Sequence, residues 1–288
     1  MKISVIMTSY NYASVISEAI KSVQAQTFAD WELIITDDCS TDNSAEVIQG
    51  FANSDNRIKF IKNSKNIGLK NSILKALESI SGEWVAFLES DDFWEENYLE
   101  KKAEIAEKYP DVGIIFNHVK LFGDDEKRIM LSGRIFEKNH KNLQKQNFPK
   151  NIFYDFISDN IILTFSCVML KKSALNTEYF NSDVDRLLDW WLYIHLARNV
   201  KAYYIPQKLT HWRFHKTSYT RKSSKKSDFL SNLKAYYDVL KHDYSGGVLY
   251  PILAKLFVQK FFVKSFRKIQ NIPLLINHKF QKFRRKFY

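Results

Sequence analysis

The chain opens with short apolar runs that alternate with helical patterns. Ile3 to Met7 is apolar and ends in the polar turn Thr8-Ser9-Tyr10-Asn11-Tyr12. Val15, Ile16, Ala19, Ile20 and Val23 follow at spacings of three and four, the period of a helix with one buried face. Trp31 to Ile35 predicts a second strand, Ala45 to Phe51 a helix, Ile58 to Ile61 a third strand and Ile73 to Ile80 another helix. Trp84 to Leu88 predicts a fourth strand that runs directly into Glu89-Ser90-Asp91-Asp92. Strands alternating with helices in this way argue for a doubly wound, mostly parallel sheet flanked by helices.

Further along, the pattern predicts an amphipathic helix from Tyr98 to Tyr109, stopped by Pro110, and a helix from Leu187 to Ala197. It predicts strands from Val112 to Val119, from Ile161 to Leu170 (holding Ser166 and Cys167) and from Ala202 to Ile205. Residues 123–150 are rich in Lys, Asn and Gln and read as a loop or insertion. A polar, basic loop from Ser218 to Ser227 precedes a helical pattern from Phe229 to Leu240, broken by Gly246-Gly247. No internal repeat is present.

Composition narrows the class. With 288 residues and 45% hydrophobic content, the chain can bury a large core, which excludes a disordered protein. Cys39 and Cys167 form no CxxC pattern and no disulfide framework. The N-terminal apolar run is too short for a signal peptide, and no stretch reaches the ~18 apolar residues of a membrane-spanning helix. The expected compartment is the cytoplasm. The net charge of +11 is concentrated after Asp243, where ten basic residues and no acidic one occur, so residues 1–243 are nearly neutral.

The candidate chemistry lies at the strand ends. In an open α/β sheet, ligands bind at the C-terminal ends of the strands. Glu89, Asp91 and Asp92 place three carboxylates there, and hard oxygen ligands at that density suit Mg²⁺ or Mn²⁺ carrying a phosphate. The competing reading is a helix starting near Phe93, whose positive end Asp91, Asp92, Glu95 and Glu96 would favour. Asp37 and Asp38 end the second strand on the same sheet edge, which strengthens the ligand reading.

Several ordered blocks carry a resemblance. They are Val5-Ile6-Met7-Thr8-Ser9-Tyr10-Asn11, Ser22-Val23-Gln24-Ala25-Gln26-Thr27-Phe28, Asp37-Asp38-Cys39-Ser40-Thr41-Asp42, Asn66-Ile67-Gly68, Glu89-Ser90-Asp91-Asp92 and Leu188-Asp189-Trp190-Trp191. Together they resemble the family 2 inverting glycosyltransferases of the GT-A fold over about residues 2–220. The resemblance implies a GT-A catalytic domain over 1–220, with a nucleotide-binding half at about 1–119 and an acceptor half at about 120–220, followed by a helical basic tail over 221–288.

It also implies roles. Thr8 and Tyr10 would meet the nucleotide base and ribose, the Tyr ring stacking on the base. Asp38 would accept the imide N–H of uracil, although as an N-cap it has an ordinary alternative. Glu89-Ser90-Asp91-Asp92 occupies the family's DxD position, with Glu89 in place of the first Asp. Asp91 would bind Mn²⁺ or Mg²⁺ bridging the diphosphate, Glu89 and Asp92 would help ligate or orient, and Ser90 would meet the nucleotide. Asp189 matches the catalytic base, with Asp183 and Asp185 as rivals and a helix-end charge as the ordinary reading. In Trp212-Arg213-Phe214-His215, Arg213 would neutralise phosphate and His215 would complete the metal site. The Arg-Asn pair that commonly follows Asn-x-Gly in the family is replaced by Ile73 and Leu74, so Lys70 would take over as a point charge. Trp190 and Trp191 read as an acceptor wall or as core packing.

The implied function is metal-dependent inverting transfer of a sugar from a UDP-sugar to a hydroxyl of a lipid-linked or surface-glycan acceptor. The alternatives are an inactive nucleotide-sugar-binding scaffold and a nucleotidyltransferase. The latter is disfavoured because Thr8 to Tyr12 holds neither Gly nor Lys. In the tail, Phe257, Val258, Phe261, Phe262 and Ile269 fall on one side of a helical wheel, with Lys260, Lys264 and Arg267 opposite. This reads as a peripheral contact with the inner face of the cell membrane. Nucleic acid is the weaker partner for the same charge, since no nucleic-acid motif is present.

Overall fold

A computed structural model describes residues 1–158, 160–180 and 188–215. The rival bases Asp183 and Asp185, the basic loop, the helix from Phe229 and the tail lie outside the described residues.

The strand runs fold into one eight-stranded mixed sheet in the order β3-β2-β1-β4-β7-β6-β8-β5. β1 (Ile3–Ser9), β2 (Trp31–Asp37), β3 (Ile58–Lys62) and β4 (Trp84–Phe87) pair in parallel. β2 is buried at every position, as a strand covered on both faces must be. The helices between them are α1 (Ile16–Gln24), α2 (Ser44–Ser54) and α3 (Leu69–Leu77). α1 buries Ile16, Ala19, Ile20 and Val23, the residues that predicted it.

β7 (Val168–Lys171) then reverses direction, pairing antiparallel with both β4 and β6 (Val112–Gly123). β6 in turn runs parallel to β8 (Lys201–Phe214). Two reversals bring the C-terminal ends of β6 and β8 to the same sheet edge as those of β1, β2 and β4. The start of β7 lies at that edge too. This parity brings residues near 90, 166 and 213 together.

Four expectations need correction. Residues 126–144 form a 19-residue helix, α5 (Glu126–Gln144), where a loop was expected. Only Leu143 of it is buried, so its sequence carries almost no apolar stripe. The apolar run 161–170 is strand only from Val168, because Phe165–Cys167 form a 3-10 turn that is equally buried. No helix starts near Phe93. Phe93–Trp94 is a short strand, β5, paired with β8, and α4 (Tyr98–Lys108) begins at Tyr98. The acids at 91 and 92 are therefore not a helix cap. Finally, β8 continues through Pro206 to Phe214, with shifts in register that let a proline remain in a strand. Two helices complete the described part, α6 (Phe153–Ser158) and α7 (Leu188–Leu196).

Candidate functional site

Two loops at the C-terminal edge are locked before any ligand is considered. Asn11 has φ +62° and its side-chain oxygen accepts from Thr41 N at 2.8 Å, while its own N–H donates to Ser40 Oγ at 2.9 Å. Asp37 accepts from Ser40 N, and Asp42 accepts from Ala13 N and Ser44 N. The Asp-rich loop after β2 thus holds the loop after β1. Asp38 is buried, and its carboxylate accepts from Asn63 Nδ2 at 3.0 Å, Ile67 N at 2.8 Å and Gly68 N at 2.8 Å. Its first structural effect is to fasten the Asn66-Ile67-Gly68 loop, leaving one acceptor position on Oδ2. Thr8 and Tyr10 flank this point. Tyr10 is 45% exposed, and the Thr8 carbonyl accepts from Ser90 Oγ at 2.8 Å. Lys70 lies in the first turn of α3, whereas Ile73 is buried.

The three acids of the motif differ in their surroundings. Asp92 is 1% exposed, and its two oxygens accept from Ser166 Oγ at 2.6 Å and Arg213 N at 2.8 Å. Burial, then the neighbouring Asp91 and Glu89, push its pKa well above the usual carboxylate range. Both Asp92 oxygens are thus engaged within the protein, by Ser166 and by the Arg213 backbone. Asp91 is only partly buried, and its Oδ2 lies 2.9 Å from His215 Nε2. Glu89 accepts from the Thr164 hydroxyl, and its N–H donates to Ser166 Oγ at 3.0 Å. Burial, with Asp91 next and Asp189 also contributing, pushes the Glu89 pKa up to about 8, against the Thr164 hydrogen bond.

Asp189 stands in the first turn of α7, close enough to repel Glu89. Its Oδ1 accepts from Trp190 N at 2.7 Å, and burial raises its pKa to about 6. Trp190 and Trp191 resolve in favour of core packing. Both are buried, and their indole N–H groups donate to the carbonyls of Phe156 and Tyr179. Arg213 is similarly committed. Its Nε donates to the Asp91 carbonyl at 2.8 Å, its terminal nitrogen pairs with Glu18, and its guanidinium lies 4.3 Å over the Phe122 ring. β6 can end against this segment because Gly123, at φ +122°, has no Cβ to strike the Phe214 carbonyl.

The structure therefore brings Glu89, Asp91, Asp92, Asp189, Arg213 and His215 to one site. Tyr12, Thr164 and Ser166 were not foreseen as members of it. Tyr12 has its pKa raised by burial and then by Asp91, Glu89 and Asp92, and its ring meets His215 edge-on at 6.5 Å. Its signal was its place in the turn after β1. Thr164 and Ser166 carried no signal, being 75 and 74 positions from the acids they bind.

Asp91 and His215 together suit a divalent cation. A carboxylate and an imidazole side by side, partly open to solvent, are a donor pair for Mn²⁺ or Mg²⁺, an ion that takes few protein ligands and completes its shell with phosphate and water.

The profile of Glycosyl transferase family 2 matches residues 4–176. A 200-residue stretch, 69% of this chain and 72% of the relative, is 30% identical to the Escherichia coli UDP-Glc:alpha-D-GlcNAc-diphosphoundecaprenol beta-1,3-glucosyltransferase WfgD. Relatives from Bacillus subtilis and Nostoc are 42% and 40% identical, but the chain spans only 40% of the length of each. Among solved structures, S. aureus TarS 1-349 in complex with UDP-GlcNAc superposes with a TM-score of 0.67 at 18% identity, covering 94% of this chain and 77% of that one. Mannosyltransferase PcManGT from Pyrobaculum calidifontis, in complex with GDP-Man and Mn²⁺, gives 0.61 at 15% identity, covering 90% and 68%. At these identities the two structures establish the GT-A fold alone.

Proposed function

Because the chain belongs to glycosyl transferase family 2, we propose that it moves a sugar from a UDP-sugar to a hydroxyl of a lipid-linked or surface-glycan acceptor, with inversion and with Mn²⁺ or Mg²⁺ as cofactor. The observation that carries this is the convergence of the Asp91–His215 pair with Asp189 across one strand edge. The undecaprenol-linked acceptor in the name of WfgD and the nucleotide sugars bound in the two solved structures support the substrate classes.

Asp91 and His215 would hold the ion. When bound, it offsets the negative charge that grows on the departing diphosphate. Tyr10 offers an exposed ring for the base, and the free acceptor position of Asp38 suits the imide N–H of uracil. Thr8, Ser90 and Lys70 border the same edge and are assigned to the nucleotide. Arg213 acts mainly by fixing the Asp91 backbone, and Asp92 by fixing Ser166 and Arg213.

The acceptor oxygen forms a bond to the sugar's anomeric carbon as the bond from that carbon to the phosphate oxygen breaks. The bonding electrons leave with the nucleoside diphosphate. The acceptor's proton passes to Asp189, whose Oδ2 is the oxygen not bonded to Trp190 N. A pKa of about 6 leaves Asp189 ionised at neutral pH, yet more basic than an ordinary aspartate.

The decisive experiment is a thermal-shift panel of nucleotide sugars with and without Mn²⁺, followed by an assay of UDP release with acceptor. A ligand at about 100 times its Kd stabilises the fold by about 2.7 kcal/mol. Metal-dependent stabilisation by a UDP-sugar together with UDP release supports the assignment. Binding without release from any UDP-sugar would instead indicate a scaffold.

A further inference from the structure

A second cluster of metal-ligating side chains lies outside the carboxylate site. α5 carries Glu137 and His140 three positions apart, which places them on one helix face. β6 turns His118 toward them. His118 Nε2 lies 3.2 Å from Glu137 Oε1. The two imidazoles stack almost in parallel, with centroids 4.1 Å apart and planes at 5°. One donor atom from each of the three side chains falls within 4.8 Å of the other two.

The strand pairing explains how His118 reaches this place. The register of β6 on β8 shifts on both sides of His118: Asn117 faces Ile205, but His118 faces Lys208. Such irregularities redirect side chains. Here Asn117 and His118, adjacent on one strand, both line one small cavity, together with His140 and Tyr204. Asn117 is 2% exposed, and its Oδ1 has no hydrogen-bond partner in the structure.

We propose that His118, Glu137 and His140 bind one Zn²⁺ ion that fastens α5 to β6, a role separate from sugar transfer. Two imidazoles and one carboxylate form a Zn²⁺ ligand set, whereas Mg²⁺ and Ca²⁺ favour all-oxygen shells. His118 is buried, while the Glu137 side chain is 46% exposed, so an ion enters past Glu137. Zn²⁺ sits about 2.0–2.2 Å from nitrogen and oxygen ligands and in the plane of each imidazole it binds, so the triangle must contract and the stacked His140 ring must tilt away from parallel with His118, movements open to Glu137 and His140 because neither is buried. In the arrangement seen, Lys208 Nζ donates to Glu137 Oε1 at 2.6 Å and supplies the positive charge there. Zn²⁺ takes the place of that ammonium contact and of the proton between His118 and Glu137. Tyr204 OH, 2.5 Å from His140 Nδ1, orients the second imidazole.

The test uses the full chain, stripped with a chelator and kept in excess Mn²⁺ so that the Asp91–His215 pair is occupied. Zn²⁺ titrated calorimetrically should bind at one equivalent and raise the Tm. Co²⁺ should give the visible absorption bands of nitrogen ligation. His140→Ala should weaken Zn²⁺ binding by at least about 100-fold, more than loss of an outer-shell partner costs. Lys208→Met should tighten it, because the competing ammonium is gone. A purely hydrogen-bonded network predicts the opposite for Lys208→Met, namely lower stability with no change in Zn²⁺ affinity. That result, or Zn²⁺ binding equal in wild type and His140→Ala, overturns the proposal.

Discussion

His215 Nε2 stands 2.9 Å from Asp91 Oδ2 although 124 positions separate the two residues. The contact joins the last described residue of the chain to the loop after β4. It depends on β8 reaching the same sheet edge as β4, and on Asp92 and Arg213 fixing the two backbones beside it. If this pair holds the divalent cation, His215→Ala should raise the Mn²⁺ concentration needed for half-maximal UDP release by at least about 100-fold, more than loss of an outer-shell partner costs. Asp91→Asn should cost more, since it removes the charged ligand. Metal titrations of the two variants, read as UDP release, check this ordering.

Asp189 leads to a pH prediction. Its pKa is raised to about 6 by burial, and the base must be ionised to accept a proton. The rate should therefore rise with pH through about 6 and level off above it. Asp189→Asn should lose about 10²–10⁴-fold in turnover, the usual contribution of a general base, with nucleotide affinity little changed. Wild-type turnover in Asp189→Asn would remove it from the mechanism.

Glu89 predicts a gain in stability on substitution. Its folded pKa of about 8 exceeds the ordinary value of 4.5, so between these pH values the folded state holds a proton that the unfolded chain has lost. Its contribution to stability is then greatest at low pH and declines as pH rises toward 8. Glu89→Gln should unfold at a higher temperature than wild type at pH 8 and show little advantage at pH 4. Thermal melts of both proteins without added cation at the two pH values measure this.

Glu32 has the opposite sign. Burial alone would raise its pKa, but bonds from Lys59, Ser4 and Ser81 outweigh that and hold it well below the usual range. Stability from Glu32 is present above its unfolded pKa of 4.5 and is lost as pH falls toward the folded value. Glu32→Ala should cost about 3 kcal/mol at pH 7, because it strands buried donors and one charge-assisted bond. The loss should shrink in acid, as denaturant melts at pH 7 and pH 3 will show.

For the tail we predict membrane contact. The acid-free segment after Asp243 carries ten basic residues among its aromatics. Deleting residues 250–288 should move the protein from membrane to soluble fractions at low salt. Retention at the membrane after deletion counts against that role.

The parallel half of the fold was legible in the sequence because each strand is a closed apolar run and each helix has a stripe. α1 buries the four residues whose spacing predicted it. α5 was not legible, because a helix lying on a sheet with one buried residue resembles a polar loop. The acidic motif was visible as a cluster, but its division of labour was not. Asp92 differs from Asp91 only through Ser166 and Arg213, partners 74 and 121 positions away. Trp190 and Trp191 show the same limit, since an indole facing a sugar and one packed in the core are spelled alike.

The buried carboxylate of Asp92 also sets an order of events during synthesis. The parallel strands β1 to β4 can pair once about ninety residues have left the ribosome, but Asp92 has no complete set of partners until Arg213 emerges. Closing loops of that length carries an entropic cost, and contacts so distant in sequence form late. A nascent or truncated chain ending before Arg213 would have a folded sheet edge with an unpaired acid and no Asp91–His215 pair. The Asp91–His215 pair should therefore form only in a late step, after the strand that carries Arg213 has joined the sheet.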